Sequence, residues 1–140
     1  MKVVAGAFAT LLLITTAVAG WTAQGNQDPT IVKFWDDFKA AVNTKNVEAV
    51  AALTNFPIAM PYGIPSVKNK TQLRQRYKQV FAQQSNAAAC FKKAHPEMEA
   101  QDPNTFTVTC ADQAGNEVVV YRFTKMKSGW KLVGLDNLNE

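Results

Sequence analysis

Apolar residues fall along this chain in three regimes: one uncharged run at the start, helical stripes through the first half, and alternation through the second. The uncharged run extends from Val3 to Ala19 behind a single lysine, Lys2, and holds Phe8, Leu11, Leu12, Leu13 and Ile14. It closes on Ala17-Val18-Ala19. A positive start, an apolar middle and small residues at the end are the parts of a secretory signal peptide, so residues 1–19 read as a leader cleaved after Ala19. An uncleaved anchor helix is the alternative, disfavoured by the Ala, Thr and Gly content and the cleavage-like triplet. Residues 20–27 are polar and glycine-bearing and read as a short tether, which leaves 28–140 as one folded domain.

The helical regime opens at Asp28-Pro29, an N-cap followed by proline at the first helical position. Ile31, Phe34, Trp35, Phe38 and Val42 then make one stripe, with Lys33, Asp36 and Lys39 away from it. Asn46 is placed to cap a second, shorter helix through Leu53, with Val47, Val50 and Ala51 inward and Phe56-Pro57 as its stop. Ile58–Tyr62 and Ile64–Val67, punctuated by Pro57, Pro61, Gly63 and Pro65, predict a small hairpin or two edge strands at a margin of the fold. Thr71 opens a third helix to about Gln84, burying Leu73, Tyr77, Val80 and Phe81.

From Ala87 the period shortens toward two, which predicts strands near 88–93, 105–112, 117–126 and 129–138. Turns at Ala114-Gly115-Asn116 and Lys127-Ser128-Gly129 make the last three an antiparallel meander. Val119, Tyr121 and Phe123 share one face, and Val118, Val120 and Arg122 the other. A strand apolar on both sides is either central in a sandwich or has its outer face covered by another subunit. Homodimerisation through the sheet is a separate expectation, motivated by Val119, Tyr121 and Phe123 on one face.

Composition narrows the chemistry. The net charge of +4 is too modest to argue for nucleic acid. It is uneven, however, because no acid occurs between Glu48 and Glu97 while Lys68, Lys70, Arg74, Arg76, Lys78, Lys92 and Lys93 all fall there. That stretch reads as a solvated face met by acids from elsewhere, or as a basic surface for an anionic partner. Two cysteines, Cys90 and Cys110, are an even pair in a chain read as exported, and predict a disulfide. The single histidine, His95, precedes Pro96 in a predicted loop, so neither a Cys-His nucleophile nor a zinc site is expected. Phosphate-cradling glycine loops and a serine nucleophile elbow are missing from the sequence, and no cofactor is implied.

The order of helices, marginal hairpin and antiparallel sheet resembles the cone-shaped α+β fold shared by nuclear transport factor two and ketosteroid isomerase. Phe34-Trp35-Asp36-Asp37-Phe38-Lys39-Ala40-Ala41-Val42, Asn46-Val47-Glu48 and Leu53-Thr54-Asn55-Phe56-Pro57 are similar to the opening helices of exported bacterial members. Gly129-Trp130-Lys131-Leu132-Val133-Gly134-Leu135-Asp136-Asn137 is similar to their final strand. The resemblance implies three N-terminal helices packed on a curved, mostly antiparallel sheet, with an apolar pocket at the open end of the cone. Trp35, Phe38, Tyr62, Tyr77, Phe81 and Trp130 are the residues available to line such a pocket.

An isomerase-like site would need a carboxylate base together with a tyrosine and a second acid as donors facing one cavity. Asp36 and Asp37 lie off the apolar stripe and read as surface, with Lys33 and Asp37 an ordinary helix pair. Asp136 shares a face with Trp130 and Leu132 on strict alternation, which would aim it toward the cone, and Arg122 is its natural ion-pair partner. They are the weak catalytic candidates. The reading therefore puts binding, of an apolar small molecule or a protein partner, ahead of a cofactor-independent isomerase, dehydratase or hydrolase. A secreted inhibitor, immunity or envelope-subunit protein acting through the basic surface is the third reading. Localisation is expected to be periplasmic or secreted, with no membrane span after cleavage.

Overall fold

Asp28 starts the first helix as its place before Pro29 dictates: its side chain accepts from the Thr30 amide at 2.8 Å and the Thr30 hydroxyl at 2.7 Å. The computed structural model describes residues 27–116 and 118–139, so the leader and all but the end of the tether lie outside the described residues. Helix α1 (Pro29–Asn43) buries Ile31, Phe34, Trp35, Phe38, Ala41 and Val42, the expected stripe with one alanine added. Helix α2 (Val47–Ala52) is capped by Asn46, which accepts from the Ala49 amide.

Strand β1 (Thr54–Ala59) follows at once. Phe56-Pro57, expected to stop a helix, instead lies inside this strand as a cis peptide. The expected hairpin reduces to one antiparallel bridge between Ile58 and Val67, and β1 pairs in parallel with the last strand. Proline is tolerated there because β1 is an edge.

The expectation of three N-terminal helices gives way to one helix of 15 residues followed by short segments. Helix α3 (Lys70–Gln75) begins with a reciprocal cap: Asn69 accepts from the Gln72 amide and Gln72 accepts from the Lys68 amide. It ends at Arg76, whose guanidinium turns back to the Pro65 and Ser66 carbonyls and to Gln79. The chain resumes as a π-helix (Gln79–Gln83) that keeps Val80 and Phe81 inside.

Of residues 88–93, read as a strand, 88–91 belong instead to helix α4 (Ala87–Phe91), and Lys92 and Lys93 to the turn that follows. Asn86 caps it through the Ala89 amide, and three consecutive alanines favour the helix where weak alternation suggested otherwise. Strands β2 (Glu97–Glu99), β3 (Asp102–Ala111), β4 (Val118–Met126) and β5 (Gly129–Asn137) complete a sheet in the order β1-β5-β4-β3-β2. Only the β1–β5 pair is parallel. Gly134 sits where β1 comes closest, since a Cβ there would stand 3.1 Å from Cβ of Ala59.

The helices cover one face of the sheet with aromatic rings. Phe38 meets Phe123 at 5.1 Å, Trp35 meets Phe91 at 4.9 Å, and Phe106 stacks on Phe123 at 4.7 Å. Such pairs add to the burial of large apolar area. Val119, Tyr121 and Phe123 lie fully inside this core, so they are not free to meet a second subunit, which corrects the motive for a dimer through that face. Tyr121 donates its hydroxyl proton to the Val80 carbonyl at 2.9 Å, so Ser85, 2.9 Å away, donates to Tyr121. Cys90 and Cys110 are bridged, tying α4 to β3 across a Cα separation of 5.9 Å.

Candidate functional site

The two catalytic candidates meet, but not in the cone. Arg122 Nη2 is 2.8 Å from Asp136 and Nη1 is 3.2 Å from Glu99, on the sheet face opposite the helices. Strict alternation from Trp130 had aimed Asp136 inward. A bulge overturns it: Arg122 pairs with Gly134 and Phe123 with Leu132, leaving Val133 extra, and beyond it the phase of β5 inverts. Leu135 then faces in, opposite Tyr121, and Asp136 faces out, opposite Val120.

The residues available to line a pocket divide into three groups. Tyr62 is 93% exposed in the turn after β1, whose sequence is rich in proline and glycine, and is not among the residues lining the cavity described below. Trp35 and Phe38 are packed in the aromatic core, and so is Trp130, whose Nε1 donates to the Thr30 hydroxyl at 3.0 Å; Trp130 also lines a separate, shallower depression of about 470 Å³ with Phe34, Leu53 and Lys33. Trp35 Nε1 is buried with no acceptor among the described residues. Tyr77 and Phe81 do line a cavity, on the helical side of the molecule.

That cavity has a volume of about 580 Å³. Val42, Val47, Tyr77, Phe81 and Ala88 form its apolar walls, drawn from the end of α1, the start of α2, the segment from Arg76 to Gln83, and α4. Gln113, in the turn between β3 and β4, closes one side by donating to the Ala82 carbonyl at 2.5 Å. The π-helix widens the turn that carries Phe81 and Ala82, and such distortions recur where helices border functional sites. Tyr77 donates to the Val42 carbonyl at 3.3 Å, and burial pushes its hydroxyl up to about 12, so it stays protonated.

Lys45, Arg74 and Lys78 stand at the cavity, and no acidic residue lines it among the described residues. Lys45 occupies an uncommon backbone position, with φ of +52°. The Asn46 amide bonds the Ala41 carbonyl and the Lys45 amide bonds the Val42 carbonyl, which together close α1 in a Schellman motif. Glycine is the usual residue at that left-handed position; here it is lysine.

The basic stretch is partly neutralised, as the solvated-face reading anticipated. Glu48 pairs with Lys70 at 2.8 Å and with Arg74, and these bonds hold its carboxyl below the usual carboxylate range. Arg76 is half-buried and tied to backbone. Lys45 and Lys78 have no ion-pair partner among the described residues, and neither do Lys68, Lys92 and Lys93. No group of three or more His, Cys, Asp or Glu residues able to hold a metal ion occurs among the described residues, and no helix among them is long and apolar enough to cross a membrane.

Sequence reasoning missed Val42, Val47, Lys45, Ala88 and Gln113 as cavity residues. A lysine directly between a helix end and an Asn cap was the one local signal, since that position must turn the chain.

No family model and no curated protein matches the sequence. Solved structures do match in shape. The chain is similar to nuclear transport factor 2-like (NTF2-like) proteins. A candidate dehydratase of the NTF2-like family from Streptomyces avermitilis matches with TM-score 0.47 and 16% identity, over 78% of this chain and 92% of its own. An NTF2-like protein with a cystatin-like fold from Novosphingobium aromaticivorans gives TM-score 0.44 and 16% identity, over 78% and 79%. Hexachlorocyclohexane dehydrochlorinase LinA-type3 from Novosphingobium barchaimii gives 0.45 and 13%, over 78% and 83%. So distant a likeness to NTF2-like proteins assigns no reaction to this chain.

Proposed function

We propose that this chain is an exported NTF2-like domain that works by binding, holding an apolar small molecule in the cavity between the end of α1, α2, the π-helix and α4. The observation that carries this reading is the cavity itself: about 580 Å³, walled by Val42, Val47, Tyr77, Phe81 and Ala88, within the roughly 300–1,000 Å³ usual for small-molecule sites. Catalysis is the weaker reading, because Arg122 and Asp136 pair with each other on the opposite face of the sheet, away from Tyr77. A protein-binding role for the basic stretch is weakened by Glu48, which engages both Lys70 and Arg74. Export is supported by the Lys2 start, the apolar run to Ala19 and the Cys90–Cys110 bridge, a bond that persists in oxidising compartments.

The test is fluorescence titration with the neutral probe N-phenyl-1-naphthylamine. Saturable binding at one probe per chain is expected, and Ala88→Trp, which fills the cavity from α4, is expected to abolish it without lowering the thermal midpoint. Binding indifferent to Ala88→Trp would place the probe elsewhere and sink the reading. The mass of the chain recovered from the exported fraction tests the leader, which should be missing up to Ala19.

A further inference from the structure

We propose that the ligand of this cavity is an amphipathic carboxylate, with its apolar body against Val42, Val47, Phe81 and Ala88 and its carboxylate held by Lys45 and Lys78. The proposal rests on the reading of the cavity as an apolar binding site and adds the charge of what enters it. Its ground is an imbalance at the mouth. Among the described residues, every ionisable group lining the cavity other than the Tyr77 phenol is basic, and of the three cations only Arg74 is engaged, with Glu48. Lys45 and Lys78 are exposed and unpaired among the described residues.

Two uncompensated cations beside a low-dielectric wall create a positive potential there that favours an anion and disfavours a cation. The walls are apolar, so the anion must carry a hydrophobic body; a bare inorganic ion would leave them unfilled. Tyr77 adds no competing charge, because its phenol remains neutral and is spent on the Val42 carbonyl. The lysine at a left-handed backbone position fits the same purpose. Glycine would suit that backbone better, yet it would leave this edge of the cavity without a cation.

Isothermal titration of the full chain with decanoate, 1-decanol and decyltrimethylammonium, each below its aggregation limit, separates body from charge. Decanoate is expected to bind about tenfold more tightly than decanol, the scale of two partly exposed charge contacts, and the cationic amphiphile more weakly than either. Raising the salt should narrow the gap between decanoate and decanol. The double variant Lys45→Gly/Lys78→Gln should bring decanoate down to the affinity that the same variant has for decanol. Lys45→Gly relieves rather than strains the backbone, so the variant is not expected to misfold, and Lys78→Gln alone should give an intermediate loss. Equal affinity for decanoate and decanol would overturn the carboxylate assignment and leave the apolar cavity standing. Decanoate binding untouched by Ala88→Trp would overturn the location, and failure of all three probes to bind would overturn the cavity reading together with this inference.

Discussion

Arg122 and Lys45 each set a cation beside apolar surface, yet only Lys45 has charge left to offer. Arg122 lies on the outer sheet face among Val118, Val120 and the threonines of β3, and it is divided between Glu99 at 3.2 Å and Asp136 at 2.8 Å. Lys45 and Lys78 stand at the mouth of a concave apolar surface with no ion-pair partner among the described residues. In the sequence the prominence is reversed, because an arginine embedded in a valine-rich strand draws the eye and a lysine after a helix does not. A satisfied charge contributes to architecture, whereas an unsatisfied one next to a cavity is available for recognition.

The largest expected effect falls on the wall that the cavity shares with the core. Phe81 is buried and touches Phe38, Tyr77 and Tyr121, so Phe81→Ala should destabilise the fold by about 3–5 kcal/mol in chemical denaturation. A loss below about 1 kcal/mol would mean that the cavity relaxes freely and is no preformed site. Next is the bridge that fastens α4, another cavity wall, to the sheet. Its cysteines are 20 positions apart, so replacing both with alanine should cost about 3 kcal/mol on the chain-entropy account. Probe binding should weaken in that variant at temperatures where the sheet is still folded, because α4 would be held only by its packing.

What could be read in the sequence was what local chemistry decides. The α1 stripe, the Asp28, Asn46 and meander-turn signals, the paired cysteines and the Arg122–Asp136 pair all follow from spacing and side-chain type. What could not be read depended on distant partners. Strand β1 exists because Thr54 and Ala59 find Leu132 and Gly134 far along the chain, and no pattern around Phe56-Pro57 announces a parallel edge. The Val133 bulge is likewise a property of the β4–β5 pairing, and one extra residue was enough to turn Asp136 from the cone to the outside. Helix α4 is hard to tell from a strand in the sequence because a five-residue apolar stretch carries little periodicity of either kind, although Asn86 is a usable cap signal.

A smaller effect separates the cavity phenol from bulk solvent. Burial raises Tyr77 from the ordinary 10.0 to about 12, so the folded state holds the phenolic proton more tightly than the unfolded chain does. The stability this provides is complete below about pH 10 and is lost as pH rises toward about 12. Tyr121, raised chiefly by burial, is raised further by the charge on Tyr77, so its own loss is also larger in wild type than in Tyr77→Phe. Wild type should therefore lose more stability than Tyr77→Phe between about pH 9 and pH 11, and equal losses would show that the cavity is wet around Tyr77. On the backbone side, Lys45→Gly should gain roughly 0.5–1 kcal/mol by removing a side chain from the left-handed region, partly offset by glycine's larger unfolded-state entropy. A variant that is more stable but binds decanoate less well would identify Lys45 as a residue kept for recognition.

The smallest effect belongs to the conspicuous arginine. The side chains of Arg122, Glu99 and Asp136 are 41%, 35% and 47% exposed, so water and salt screen their attraction. A double-mutant cycle with Arg122→Met and Asp136→Asn should give a coupling of about 0.2–1 kcal/mol that shrinks further in high salt. Neither variant should change decanoate affinity, because the sheet lies between their side chains and the cavity. A coupling above about 2 kcal/mol, or a loss of ligand binding in either variant, would show that the outer cluster is connected to the site after all. The contrast between a spent charge and an available one would then have to be abandoned.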